Sequence, residues 1–497
     1  MKKPDYTNMQ KTEVVPNAGS MIETFRAIGY NLGTALADII DNSITAKAKN
    51  IWIETKWNGS ETTIAVKDDG EGMNGNELIN AMTPSSQDPS LSRDESDLGR
   101  FGLGLKTASF SQCRVLTVVS KKIGYNKTYW TWDLDYVKSC GRWELLRWLP
   151  ESYSNVLDDK EQKQGTVVIW SAPDRIVAEG TAPDDLQSKM KFFDQLDIAQ
   201  KHIAMTFHRF IQDKTVKIYF GESELVPWDP FCQNESSTQM FPVQELYFGK
   251  ECAEVRGYVL PHKSKFSSED AYKNSEGMFG QPAQQGFYVY RGRRLLVAGS
   301  WLGLFRKEEH YKLVRIKIDL PNTLDTTWKI DIKKSTATPP AICKEKLKSY
   351  AMVVRNKGVE VFRHRGKILK QKAGSCFQPL WLDKKKDNKW SFVVNRENQV
   401  IKELTQLAHT EPDKAISHLL RFIEESLPTK AIFIKESEAD GSQKEPFYNM
   451  DMELLTSTLH LIYEKSLAEG RSKEESIAYL KTIEPFNNFE NLINDLI

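Results

Sequence analysis

The chain of 497 residues is too long for one ordinary core, and roughly three domains are expected. Lys and Arg number 68 against 67 Asp and Glu, a net charge of +1 that excludes a uniformly basic nucleic-acid coat and leaves any such surface to a local patch. The six cysteines (Cys113, Cys140, Cys232, Cys252, Cys343, Cys376) form no C-x-x-C pair, which argues against a disulfide framework or zinc site and for a reducing compartment. No run of about 18 apolar residues occurs, and the first twenty residues lack the apolar centre of a signal peptide. The expected location is the cytoplasm.

A polar arm, residues 1–20, precedes a capping-box spacing at Ser20 and Glu23 that predicts a short helix. Gly29 and Gly33 interrupt, so the next helix is expected from Thr34 to Ala46. "NIWIETKW" and "TTIAVKDDG" read as a hairpin. Residues 74–98 turn polar and read as a lid or loop. "LGRFGLGLKTASFSQC" is glycine-rich, then helical, and "RVLTVVSKK", "KTYWTWDL" and "GTVVIWSA" are further strands. The sum is a two-layer α/β sandwich with helices on one face of a mixed sheet, residues 21–180. A helix "LDIAQKHIAMTFHRFI" opens a second α/β domain, residues 200–340, with strands "TVKIYF", "EVRGYVLP", "GFYVYRGRRLLV" and "YKLVRIKIDL". Residues 341–375 form a basic segment, expected to be helical, with Gly358 and Gly366 as the two points open to a break. Its stretch 341–372 carries ten Lys or Arg against two Glu, a net of +8. Residues 376–497 are mixed, ending in a helical pair.

Chemistry concentrates in three boxes. In "ALADIIDNSITA" the polar Asp38 and Asn42 lie one helical turn apart. "DDGEGM" is either a hairpin turn or a place where Asp68 points a carboxylate at an exocyclic amine while Gly70 and Gly72 turn the backbone tightly. "GRFGLGLK" is either a loop–helix junction or a phosphate cradle of bare N–H groups with Lys106 as a point charge. The amide oxygen of Asn42 is a hard donor suited to Mg2+.

In this order the boxes resemble the GHKL superfamily of ATPases, which includes gyrase B, the ninety-kilodalton heat-shock chaperone, histidine kinases and MutL. The likeness covers the first 170 residues and closes with "GTVVIW". It implies a Bergerat-type sandwich with ATP and Mg2+ as ligands. Asp68 would take the adenine amine beside Gly70, Gly72 and Thr166, Asn42 would hold the metal, and Gly99, Gly102 and Gly104 would wrap the phosphates with Lys106 nearby. Residues 74–98 would be the ATP lid. Asp38 stands where hydrolysing members carry a glutamate that activates water, a departure that shortens the base by one methylene.

All eight histidines lie at 202 or later, which argues against a histidine kinase. The second domain resembles the transducer of MutL, gyrase B and MORC proteins, and "MORC-like", of the bacterial kind, describes the chain best. The resemblance implies a lysine reaching back to the γ-phosphate. "WKIDI" alternates like a strand, so Lys333 and Lys334 beyond it are better placed than Lys329 within it, and Lys333 is chosen. It also implies a homodimer on ATP binding, double-stranded DNA as a partner held without sequence specificity, and a role in phage defence or restriction with an effector nuclease. No MutL endonuclease motif is present, so any cutting falls to a partner. Arg355, Lys357, Arg363, Arg365, Lys367, Lys370 and Lys372 are the candidate phosphate contacts, against a solvated helix or dimer arm as the plain reading. The rival function is a chaperone-like or signalling ATPase acting on protein.

Overall fold

The computed structural model describes residues 9–12, 14, 16–84, 104–156, 163–248, 251–325, 327–331, 336–371, 380–386, 389–429, 432, 452–484, 486 and 489–494. The chain forms two compact units, residues 1–366 and 367–497.

In the first unit, α1 (Ala18–Arg26) and α2 (Leu32–Thr45) lead into the hairpin β1 (Asn50–Lys56) and β2 (Thr63–Asp68). Then come α3 (Gly75–Met82), α4 (Gly104–Phe110), β3 (Val115–Lys121), β4 (Thr128–Asp133), α5 (Leu134–Cys140) and β5 (Gly165–Ser171). After α6 (Leu186–Thr206) and α7 (His208–Gln212) follow β6 (Lys217–Phe220) and β7 (Ser223–Glu224). These strands make one mixed sheet of order β4-β3-β5-β2-β1-β6-β7. Leu36, Ile39 and Ile40 of α2 pack with Ile51, Val66, Leu116 and Trp170 of the sheet in a single core. Deleting any one of those aliphatic chains is worth about 2–5 kcal/mol. The opposite face buries Ala65, Val119, Val167 and Ile169 beneath Tyr153. The helical layer therefore lies on one face, and the fold is the mixed α/β sandwich expected.

Several local expectations shift, each for a physical reason. Asn17, not Ser20, caps α1, its side chain accepting from the Ser20 N–H. In α2 the capping box is Asn31 with Thr34, so the helix starts before Gly33 and carries it in the first turn. A Cβ there would press on the His202 side chain, 3.0 Å from its Cβ and 3.1–3.2 Å from two ring carbons, so the missing side chain lets α6 approach. Residues 75–82, read as lid, are helix α3, with an Asn74–Glu77 capping box and with Leu78 and Met82 in the core. "VKIYF", assigned by sequence to the second domain, pairs parallel with β1 and extends the first sheet.

The second sheet comprises β8 (Gln239–Met240), β9 (Gln244–Phe248), β10 (Glu251–Val259), β11 (Gly286–Arg291), β12 (Arg294–Ser300) and β13 (Val314–Leu320), with α8 (Glu269–Ser275) between β10 and β11. Its order is β12-β11-β13-β10-β8, with β9 also on β10. The β11–β12 turn is Gly292-Arg293, both at positive φ, the hairpin geometry that matches strand twist. α9 (Ala341–Gln371) lays Leu347, Ala351 and Val354 on Val255, Val314 and Ile316. It is the helix expected, and it runs unbroken through Gly358 and Gly366. Gly358 is needed because a Cβ would overlap the Val314 side chain. A third cluster, with Met205 of α6, Phe231, Tyr258, Tyr288 and Tyr290, joins the helical layer to this sheet. There His208 Nε2 lies 2.8 Å from Tyr290 Oη.

Residues 328–331 of "WKIDI" are not a strand: residues 327–329 form a turn, with Trp328 fully buried and Lys329 exposed at φ +48°. Burial of the large indole takes precedence over the alternation that suggested a strand. The second unit holds the hairpin β14 (Trp381–Lys386) and β15 (Lys389–Val394), α10 (Gln399–Leu407), α11 (Pro412–Ser426) and the helices Met452–Ala468 and Lys473–Leu480. Leu455, Leu459, Leu480, Phe486 and Ile493 form its buried cluster.

Candidate functional site

Asp68 ends β2 and is almost wholly buried. Its Oδ1 accepts the N–H of Gly70 at 2.9 Å and of Thr166 at 3.2 Å, while Oδ2 accepts the Ser43 hydroxyl at 2.9 Å. Burial pushes the carboxyl above its ordinary range, and these three hydrogen bonds pull back toward the ionised form. A carboxylate offers about four acceptor positions, so the bonds leave one on Oδ2.

The glycines around Asp68 are obligatory. Gly72 has φ +65°, and a Cβ there would run into the Lys121 carbonyl; Gly165 has φ +124°, and a Cβ would run into the Asp68 carbonyl. Gly70 is constrained by space, since its Cβ would lie 2.7 Å from the Ala46 oxygen. Thr166 Oγ1 pairs with Ser120 Oγ at 2.9 Å, and the same serine accepts the Met73 N–H at 2.8 Å. The end of β2 and the turn after it are thus sewn to β5 and β3, on one side of the strand.

One turn apart on α2, Asp38 is buried and Asn42 is exposed. Tyr30 Oη donates to Asp38 Oδ2 at 2.8 Å, and burial together with that carboxylate drives the phenol far above its usual range. Gly104, the first residue of α4, stands over Asp38: a Cβ on it would be 3.5 Å from Oδ2. From the second sheet, Arg294 brings Nη2 to 3.5 Å from Asp38 Oδ1 and donates from Nε to Asp41 at 2.9 Å.

Lys106 sits differently from expectation. It is buried, and its Nζ donates to the Ala81 carbonyl at 2.8 Å, tying α4 to the last turn of α3. Burial lowers its ammonium to about 8. Because that value lies below the ordinary 10.5, the protonated side chain destabilises the folded state, fully below pH 8 and progressively less as pH rises toward 10.5. Lys106→Met is therefore expected to be more stable than the wild type at pH 7, by at most about 3 kcal/mol less the cost of the lost bond to the Ala81 carbonyl, and to melt at a higher temperature. The advantage shrinks by pH 10. Coincident melting curves at pH 7 would contradict it.

Of the residues chosen from sequence, the fold brings Asp68, Gly70, Gly72 and Thr166 together, and Asp38 with Gly104. Gly99, Gly102, Lys333 and Lys334 lie outside the described residues, as do residues 85–98 of the expected lid. Tyr30, Ser43, Ser120 and Arg294 were missed. Ser43 is adjacent to Asn42 in "DNS", a signal that was available, whereas Arg294 reaches α2 across 253 residues. Arg355 is removed from the candidate phosphate contacts. It is buried, its guanidinium 3.7 Å from the Tyr311 ring centre and 3.9 Å from that of Phe305.

Residues 30–166 match the family of histidine kinase-, DNA gyrase B- and HSP90-like ATPases. This segment is a GHKL ATPase domain. The chain is also similar to the ATPase morc-1 of Caenorhabditis elegans, 32% identical over 91 residues. That likeness covers 18% of this chain and 10% of the relative. The GHKL match begins at Tyr30, which holds Asp38, and ends at Thr166, which holds Asp68, so its bounds enclose both carboxylate sites. Among the described residues no helix is long and apolar enough to cross a membrane.

Proposed function

We propose that this chain binds ATP with Mg2+, hydrolyses it slowly, and uses it to gate a homodimer on double-stranded DNA. The observation that carries the reading is Asp68, a buried carboxylate held by three hydrogen bonds with one acceptor position left and flanked by glycines that cannot be replaced. An exocyclic adenine amine completes that set. Asn42 suits a magnesium ligand, being exposed one turn from Asp38 and offering an amide oxygen. Magnesium, when bound, neutralises phosphate charge. Gly99, Gly102 and Gly104 supply N–H groups to the phosphates, and Lys333 reports the γ-phosphate to the second sheet. Asp38 accepts the proton of the attacking water. Both of its oxygens are already engaged, one by Arg294 and the other by the Tyr30 hydroxyl, which supports slow turnover and a switch-like role.

The basic run from Lys357 to Lys372 supports a DNA partner, and a defence role with an effector nuclease fits that assembly. The test is steady-state ATP hydrolysis with and without long double-stranded DNA over a salt series, with light scattering in a non-hydrolysable ATP analogue. The expected result is stimulation that fades as salt rises, together with a doubling of mass. Turnover indifferent to DNA moves the partner to protein, as in a chaperone-like or signalling ATPase, and an unchanged mass removes the gated dimer.

A further inference from the structure

The turn between β11 and β12 carries three arginines in "RGRR", and each has its own carboxylate. Arg291 Nε donates to Asp325 at 2.8 and 2.9 Å, with both side chains buried. Arg293 pairs with Asp213, just past α7. Arg294 crosses to α2, where it meets Asp41 and Asp38. A surface ion pair would contribute little, but this one is different in kind. Arg294, Asp38 and Asp41 are each no more than 3% exposed. Leaving a buried charge without its partner costs several kcal/mol, so neither carboxylate tolerates loss of the guanidinium in place.

Arg294 is also the sole residue of the second sheet within salt-bridge distance of the candidate base among the described residues. Asp325, partner of the other end of the hairpin, stands four residues before Lys329. The two strand residues that flank the Gly292-Arg293 turn therefore hold α2, through Arg294, and Asp325, through Arg291.

We propose that Arg294 is the positioning residue for Asp38, and that through it the second sheet sets the rate of hydrolysis without setting nucleotide affinity. This rests on the ATPase reading above. The guanidinium fixes the Asp38 carboxylate between Nη2 on one oxygen and the Tyr30 hydroxyl on the other, beneath Gly104. The adenine end, around Asp68, has no contact with Arg294 in the hydrogen bonds that define it. Rate and affinity are thus separable by a change at residue 294.

The experiment compares wild type, Arg294→Lys, Arg294→Gln and the double variant Arg294→Gln/Asp41→Asn. Three quantities are read: affinity for a fluorescent ATP analogue, single-turnover hydrolysis, and thermal unfolding without nucleotide. Arg294→Gln is expected to keep affinity within about threefold and to lose about 30-fold in rate, in line with the cost of misplacing a catalytic group. Arg294→Lys, which keeps the charge, recovers most of the rate. The double variant removes one orphaned carboxylate, so it recovers melting temperature but not rate. A rate in Arg294→Gln equal to or above wild type overturns the proposal, as does recovery of rate along with melting temperature in the double variant. A wild type that binds no ATP overturns the parent reading and this one with it, whereas a wild type that turns over beside an unaffected Arg294→Gln removes this one alone.

Discussion

Protein carrying Asp68→Asn keeps its fold and loses ATP. The asparagine oxygen can still accept the Gly70 and Thr166 N–H groups that Asp68 Oδ1 accepts, and the Ser43 hydroxyl can reverse its role and accept from the new amide. What changes is the remaining position, where an acceptor becomes an N–H donor facing the donor N–H of an adenine amine. A lost charge-assisted hydrogen bond plus an unpaired donor amounts to about 3 kcal/mol, or more than about a hundredfold in affinity. Isothermal titration with ATP and with ADP checks this, and both should weaken alike because the change is remote from the phosphates. Near wild-type affinity in a folded Asp68→Asn protein would move the base-binding site elsewhere and take the ATP reading of this pocket with it.

Asp38→Asn should do the opposite, binding ATP within about threefold of wild type while hydrolysing it about a hundredfold more slowly or less. An amide fits the space and can still meet Tyr30 Oη on one side and the Arg294 guanidinium on the other, while Arg294 retains Asp41 as its ion-pair partner. It cannot take a proton from water. Single-turnover hydrolysis with labelled ATP, beside an equilibrium binding curve on the same preparation, separates the two effects. Undiminished turnover would mean that another group activates water and that Asp38 serves only to anchor Arg294 and Tyr30.

The parts of the site that were legible in the sequence are those encoded within a few residues of one another. The Asp38 and Asn42 spacing, the D-x-G-x-G turn and the Gly165-Thr166 strand start are local patterns whose meaning survives folding, because positive φ and close backbone approach demand glycine wherever the chain ends up. Long-range partners left no such trace. Arg294 stood in "GFYVYRGRRLLV", read as a strand, yet nothing near it in sequence says that it reaches Asp41. Lys106 looked like a phosphate lysine because it follows the glycine loop, and only the third dimension turns it toward the Ala81 carbonyl. β6 was given to the wrong sheet because a strand does not state its neighbour, and the parallel pairing with β1 is made only after α6 has carried the chain back across the layer. "WKIDI" misled through alternation alone, where a single buried tryptophan decided the local path.

The reach of β6 and Arg294 also orders events in time as the chain is made. β1, at residues 50–56, remains an open edge until residues 217–220 have emerged, and the buried acids of α2 have no guanidinium until residue 294 follows. The half-made protein therefore passes through a stage in which its first sandwich is complete in outline, yet carries a raw sheet edge or buried carboxylates that still await Arg294. Cutting the gene at the end of the matched segment recreates that stage permanently, so the smallest autonomous piece of this chain is expected to extend well beyond residues 30–166.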